Sequence, residues 1–293
     1  MTANRDAISD GVTVKRLERG FRWPEDRKAA IVFNIAFEGW SDGVAPGIGP
    51  MGNPLPPGAF DTNALSWGTY GQTRGIERLL RILEQRHIAA SVMTSGIFAL
   101  RAPDIVKAIS AAGHEIVAHG FAQDIIPAKL AAEEVNKDIV KTTEALASVS
   151  GKRPAGWISP RGTPHPQSTK FLLDSGYIWH GDVFDDDRPY FQFHGGRHIV
   201  AIPLTMEIND LPHAMRFGQS PRQFVEKFED LLAFAISGES EATIIDVTAH
   251  AHVYGRTAGA WAIDEIARTA LECKAAWITT REAMAACLNS VAL

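Results

Sequence analysis

Six points along the chain carry side chains that can move protons, hold a metal or bind an anion, and each follows an apolar run. They are Glu38, His119, Arg161, Asp182 with the acid run at 185–187, Asn209 with Asp210, and His250 with His252. A carboxylate at the tip of "FNIAFEGW", with Gly39 to turn the chain away, is placed where α/β enzymes put a general base or a metal ligand. On its own, Glu38 is more often a solvated loop acid. His119, which closes "HEIVAHG", is on its own more often a hydrogen-bonded structural imidazole. "AHAHVYGR" spaces His250 and His252 two apart, so on a strand they share a face and can share a metal. Arg161 in "SPRGTPHP" suits an anion or an ion pair with Asp186. "FDDDRPY" reads as a solvated turn unless one acid points inward. Singly, each has an ordinary explanation; acids, histidines and an arginine at successive strand tips together point to a site.

Positioning these residues requires strands that end in register. "AAIVFNIAF" has the length and composition of a buried strand. After it, residues 41–71 are rich in Gly and Pro and lack periodicity, so a long ordered loop walling the site is expected. "TRGIERLLRILEQR", "APDIVKAISAAG", the long stretch from "AKLAAEEVNKD", "PQSTKFLLDSG", "PRQFVEKFEDLLAFAIS" and "GAWAIDEIARTALEC" have helical spacing. "IAASVMTSG", "HEIVAHG", "PAGWISP", "YIWHGDV", "RHIVAIPL", "ATIIDVTAH" and "AAWITT" read as strands. Such alternation, in about seven or eight units, predicts parallel βαβ units and an α/β fold, a (β/α) barrel, complete or incomplete, rather than an open sheet. Residues 1–28 are expected to form an N-terminal arm and 29–293 a single barrel domain.

The chain has 293 residues, 45% of them hydrophobic, which is ample for one large core. A net charge of −5 argues against nucleic acid or an anionic membrane as partner. Two cysteines, Cys273 and Cys287, suit a reducing compartment rather than a disulfide framework. The first residues, "MTANRDAISDG", are polar and carry no apolar signal core, so a cytoplasmic protein is expected.

The stretch from "TYGQTRGIERLL" to "GHEIVAHG" resembles the central segment of the polysaccharide-deacetylase superfamily. The likeness runs from about Ala29 to the final helix, and it implies that family's distorted (β/α) barrel of seven parallel strands. "FDDDRPY", "IPLTMEIND" and "HAHVYGRTAGAW" are similar to the branch of allantoinase-like cyclic-amide hydrolases that includes cyclic imide hydrolases. Against the family pattern, the Asp-Asp pair that supplies a base and a metal ligand is replaced by Phe37 and Glu38. Of the two metal-binding histidines four residues apart, His119 remains and Gln123 stands at the second position. His250 matches the late family histidine, with His252 beside it, and the family arginine corresponds at best to Arg161.

The resemblance implies a hydrolase that opens cyclic imides or hydantoin- and allantoin-type ureides at a C–N bond. A polysaccharide or peptidoglycan N-deacetylase and a catalytically inactive ligand-binding barrel are the alternatives. Glu38, His119 and His250 are the candidate catalytic residues; Phe37, Trp40, Tyr70, Gln123, Arg161 and His252 the candidate substrate-binding ones. Glu38 and His119 are also the candidate metal ligands, for one divalent ion, zinc before others, or none. His252, Asp246 or Asp185 could add a ligand. No organic cofactor is expected, and the expected partners are a small cyclic amide and further copies of the chain. Burial against Phe37 and Trp40 is expected to raise the pKa of Glu38.

Overall fold

The computed structural model describes residues 11–47, 49–51, 55–56 and 58–291. A short strand, β1 (Thr13–Arg16), is followed by β2 (Ala29–Phe37), whose nine residues are all buried. β2 is a continuous apolar run because both of its faces are covered. Phe33, Ile35 and Phe37 pack outward under the helices, while Ala30, Val32 and Ala36 face the barrel interior. Small residues on the inner face leave room for the opposite wall, and each large outward side chain contributes about 2 kcal/mol by leaving water. The two-residue period carries Glu38 onto the inward face, in line with Ala36 and Asn34.

Next come α1 (Thr62–Tyr70), α2 (Ile76–Gln85), β3 (Ser91–Thr94), α3 (Phe98–Arg101), α4 (Pro103–Ala111) and β4 (Glu115–Ala118). α5 (Ala132–Ser150), β5 (Gly156–Trp157), α6 (Ser168–Asp174), β6 (Trp179–His180), β7 (Tyr190–His194) and β8 (Arg197–Ala201) follow. α7 (Pro221–Ser237), β9 (Thr243–His250), α8 (Thr257–Glu272), β10 (Ala276–Ile278) and α9 (Arg281–Val291) complete the order. Parallel ladders join β9 to β2, β2 to β3 and β10, and then β3, β4, β5, β6 and β8 in succession. This is the expected α/β barrel type, with β7 and β1 added antiparallel at one edge.

Three expectations change. The N-terminal arm is part of the sheet: β1 pairs with β7, and Trp23 is buried with its Nε1 donating to the Thr243 carbonyl at 2.9 Å. Residues 1–10 of that arm lie outside the described residues. The long loop at 41–71 is helical from Thr62, with Asp61 capping α1 through Ala64 N at 2.8 Å. Its helix runs through a wide turn at 71–75 into α2. Before β8 stands a strand absent from the reading above, β7, joined to it by Gly195 and Gly196 at φ +58° and +75°. Two successive positive φ values define the turn that suits a twisted two-stranded hairpin, and glycine takes them without strain.

The far end of the barrel interior is closed by charge. Arg281, fully buried, pairs with the fully buried Asp246 at 2.8 Å and donates to the carbonyls of Ile202 and Pro203. Asp246 is therefore committed there and is not available as a metal ligand. No helix among the described residues is long and apolar enough to cross a membrane.

Candidate active site

At the opposite end, strand tips bring Glu38 and three imidazoles together. From Glu38 the carboxylate oxygens lie 3.4 Å from His119 Nε2, 3.7 Å from His250 Nε2 and 3.9 Å from His252 Nε2. Each ring is held from behind. His119 Nδ1 sits 2.7 Å from the Ile158 carbonyl, which turns Nε2 toward Glu38. His250 Nδ1 lies 2.6 Å from Asp210, whose other oxygen accepts from His250 N and Tyr254 N. His252 is wedged edge-on between Trp67, at 4.6 Å, and Trp40, at 5.5 Å. The loop carrying His252 lies close against the wide turn after α1. A Cβ on Gly75 would come within 1.8 Å of the Ala251 carbonyl oxygen, so only glycine permits that approach.

Charge follows from this arrangement. Burial alone would raise Glu38, but the charge of His250, the hydrogen bond of His119 and the field of His252 outweigh it and lower the pKa to about 2. Burial also disfavours the charged form of His250, yet Asp210 and Glu38 overcome it and raise His250 to about 9. His252 is lowered by burial to about 3, against the pull of Glu38 and with the help of His250 and Arg256. At neutral pH the site thus holds an ionised carboxylate, an imidazolium at His250 and a neutral ring at His252. The expected upward shift of Glu38 is reversed because the imidazoles dominate the apolar neighbours.

The remaining candidates divide. Trp40 is in the site, and its carbonyl accepts from Arg101 at 2.6 Å. Tyr70 lies one step outside, with Arg256 over its ring. Phe37 is not a wall of the cleft: it is fully buried under the helices, stacked on Phe98 at 3.8 Å. Odd positions of β2 face outward, so Phe37 and Glu38 cannot line the same space. Gln123 reaches the site as a staple. Its amide nitrogen donates to Ser95 Oγ and the His119 carbonyl, and its backbone N to the Gly39 carbonyl. Arg161 is exposed, with no ion pair among the described residues; Asp186 and Asp185 pair with Arg16 instead. That pairing removes Asp185 as a metal ligand. Asp182 is buried against Ser159, accepting from its N and Oγ. Asp210 is the residue whose role the sequence reading missed: it stands 40 residues before His250, and nothing local links them.

A divalent metal would need a third donor beside Glu38 and His119. Gln123 has its amide nitrogen committed, which leaves only a weak amide oxygen, and His250 is held as an imidazolium; the nitrogen left beside His119 is that of the neutral His252, 3.9 Å from Glu38. Among the described residues no group of three or more His, Cys, Asp or Glu is arranged to hold a metal. The donor set therefore does not fit the zinc centre usual in deacetylases.

The family model for polysaccharide deacetylase matches residues 60–177. A curated Helicobacter pylori protein named peptidoglycan deacetylase is 25% identical over 62% of this chain and 69% of its own length. A probable polysaccharide deacetylase from Pseudomonas aeruginosa PAO1 superposes with a TM-score of 0.82 at 25% identity, over 92% of this chain and 93% of that one. A solved PuuE allantoinase gives the same TM-score, identity and coverage. The expectation of cyclic imide or ureide hydrolysis is overturned by the first two findings, which favour the deacetylase alternative. The family model, the curated relative and the solved structures thus agree in likening the chain to the hydrolases of the polysaccharide-deacetylase superfamily.

Proposed function

We propose that the chain is an N-deacetylase that removes acetyl groups from an N-acetylated amino sugar of a polysaccharide or peptidoglycan. The observation that carries this reading is the ionised Glu38 facing the imidazolium of His250, itself backed by Asp210. An unactivated amide needs a nucleophile on carbon and a proton on the departing nitrogen. Glu38 accepts a proton from water as its oxygen attacks the acetyl carbon. His250 Nε2 gives its proton to the nitrogen as the C–N bond breaks, leaving acetate and an amine.

A carboxylate near pKa 2 is a weak base while His250 is charged. Once His250 has given its proton to the departing nitrogen, its charge no longer depresses Glu38, so Glu38 keeps the proton it took from water until it is returned to His250. Asp210 orients His250 and supports its charge, while His119, turned by the Ile158 carbonyl, sets its Nε2 3.4 Å from the Glu38 carboxylate. Trp40 and Trp67 hold the neutral His252 and give the cleft an apolar side suited to a sugar face. No step runs through a metal.

The test is acetate release from N-acetylglucosamine oligomers by wild type and Glu38→Gln. Release by wild type and its loss in the variant support the reading. The incomplete metal set favours one competitor, an inactive ligand-binding barrel, which would bind the oligomers tightly and release no acetate.

A further inference from the structure

The chain is acidic overall, at −5, yet the flank of the cleft beside His252 is cationic. Arg256 lies over the Tyr70 ring, 4.0 Å from its centroid, and its Nε donates to the His252 carbonyl at 3.2 Å. Arg78 reaches the same spot from α2, donating to Tyr70 Oη and to the Gly255 carbonyl at 2.5 Å each. Arg74 and Arg81 stand four residues before and three residues after Arg78. Like charges at these spacings along a helix repel one another and weaken it.

Glu77 and Glu84 stand within a helical turn of Arg74 and Arg81, but among the described residues no carboxylate is within ion-pair distance of Arg78 or Arg256. Arg86, further along, does pair, with Asp264 at 2.6 Å. Arg78 and Arg256 are half-buried, fixed by hydrogen bonds to the backbone, and still without a carboxylate. A planar guanidinium held in place with donors to spare is suited to an oxyanion.

We propose that Arg256 and Arg78 form a carboxylate subsite on the flank of the cleft, which selects an anionic N-acetylated sugar over a neutral one. This rests on the deacetylase reading and narrows its substrate class. An N-acetylhexosamine with a lactyl ether on the carbon next to the acetamido group carries such a carboxylate beside the reacting amide. The anion is bound by the arginines while the amide faces Glu38.

The experiment compares N-acetylmuramic acid with N-acetylglucosamine, which differ by that lactyl group. Binding is measured by calorimetry on Glu38→Gln protein, in which turnover is blocked. At low salt the acid is expected to bind at least about tenfold tighter, and the advantage to shrink in 0.5 M salt as the charges are screened. In the Glu38→Gln background, adding Arg256→Gln or Arg78→Gln should bring the two affinities within about twofold, while Arg256→Lys keeps much of the preference. Melting temperatures identify any variant that has lost its fold, and the second arginine then supplies the test. Equal affinities in the parent, no binding of either sugar, or a preference that survives both glutamine variants would overturn the subsite. Wild type that releases no acetate while the binding preference stands would overturn the deacetylase reading alone.

Discussion

Two glutamates, Glu38 largely buried and Glu115 buried, sit at opposite ends of the same barrel and are driven in opposite directions. Glu38, at the C-terminal tip of β2, is lowered to about 2 because three imidazoles surround it. Glu115, at the N-terminal end of β4, is raised to about 7, with burial the largest cause. Its donors are neutral: Ser91 Oγ at 2.7 Å, Trp179 Nε1 at 3.0 Å and Glu282 N at 3.0 Å. Burial is common to both, so the difference lies in the neighbours. Charge that can be given away is gathered where chemistry happens; at the closed end the charges of Arg281 and Asp246 are spent on each other, and Glu115 is left with neutral donors.

The largest expected effect breaks the first end. Glu38→Gln should lower kcat by roughly a hundredfold or more, the scale for losing a general base, while the melting curve stays cooperative. Near-normal turnover in a folded variant would remove Glu38 from the mechanism. Asp210→Asn comes next, with kcat down on the order of tenfold to a hundredfold. Because Asp210 helps raise His250 to about 9, wild-type kcat/KM should fall as pH rises through that value. In Asp210→Asn the fall should begin at lower pH, and an unmoved alkaline limb would mean that Asp210 does not support the charge.

Glu115→Gln sharpens the other end. A carboxyl raised from 4.5 to about 7 favours the folded state while protonated. Its contribution is complete below 4.5 and is lost as pH rises to 7, about 3 kcal/mol in all. Urea unfolding of wild type and Glu115→Gln at pH 4.5 and 8 should show their stability difference moving by about that amount in the variant's favour. A difference constant with pH would refute the assignment. Glu38 runs the other way: its stabilisation is present above 4.5 and is lost as pH falls toward 2. The smallest effect expected is that of Phe37→Leu, about 1 kcal/mol of stability with kcat/KM within about twofold of wild type. A large loss of activity with unchanged stability would return Phe37 to the cleft.

The barrel was legible because β2 and its successors are apolar runs alternating with helical spacing, and parallel strands covered on both faces leave that mark. Glu38, His119, His250 and His252 were legible for a related reason: the tips of such strands converge at one end. Phe37 was misplaced although the needed rule is a simple one. A two-residue period through β2 already separates it from Glu38. The hairpin of β7 and β8 was missed despite the Gly195–Gly196 pair, since β7 is short and follows an acid run that reads as a turn. α1 was hidden by Gly68 and Gly71, which weaken helical propensity, and packing rather than propensity holds it. Asp210 was visible as a residue but not as a partner, because its bond to His250 depends on how two distant segments close the barrel.

The most direct measurement is the titration of His250 by isotope-edited NMR, in wild type and in Glu38→Gln. The wild-type midpoint is expected near 9 and should fall when the Glu38 charge is removed. A midpoint near the ordinary 6.5 in wild type, or one that does not move in the variant, would contradict the charged pair on which the mechanism rests.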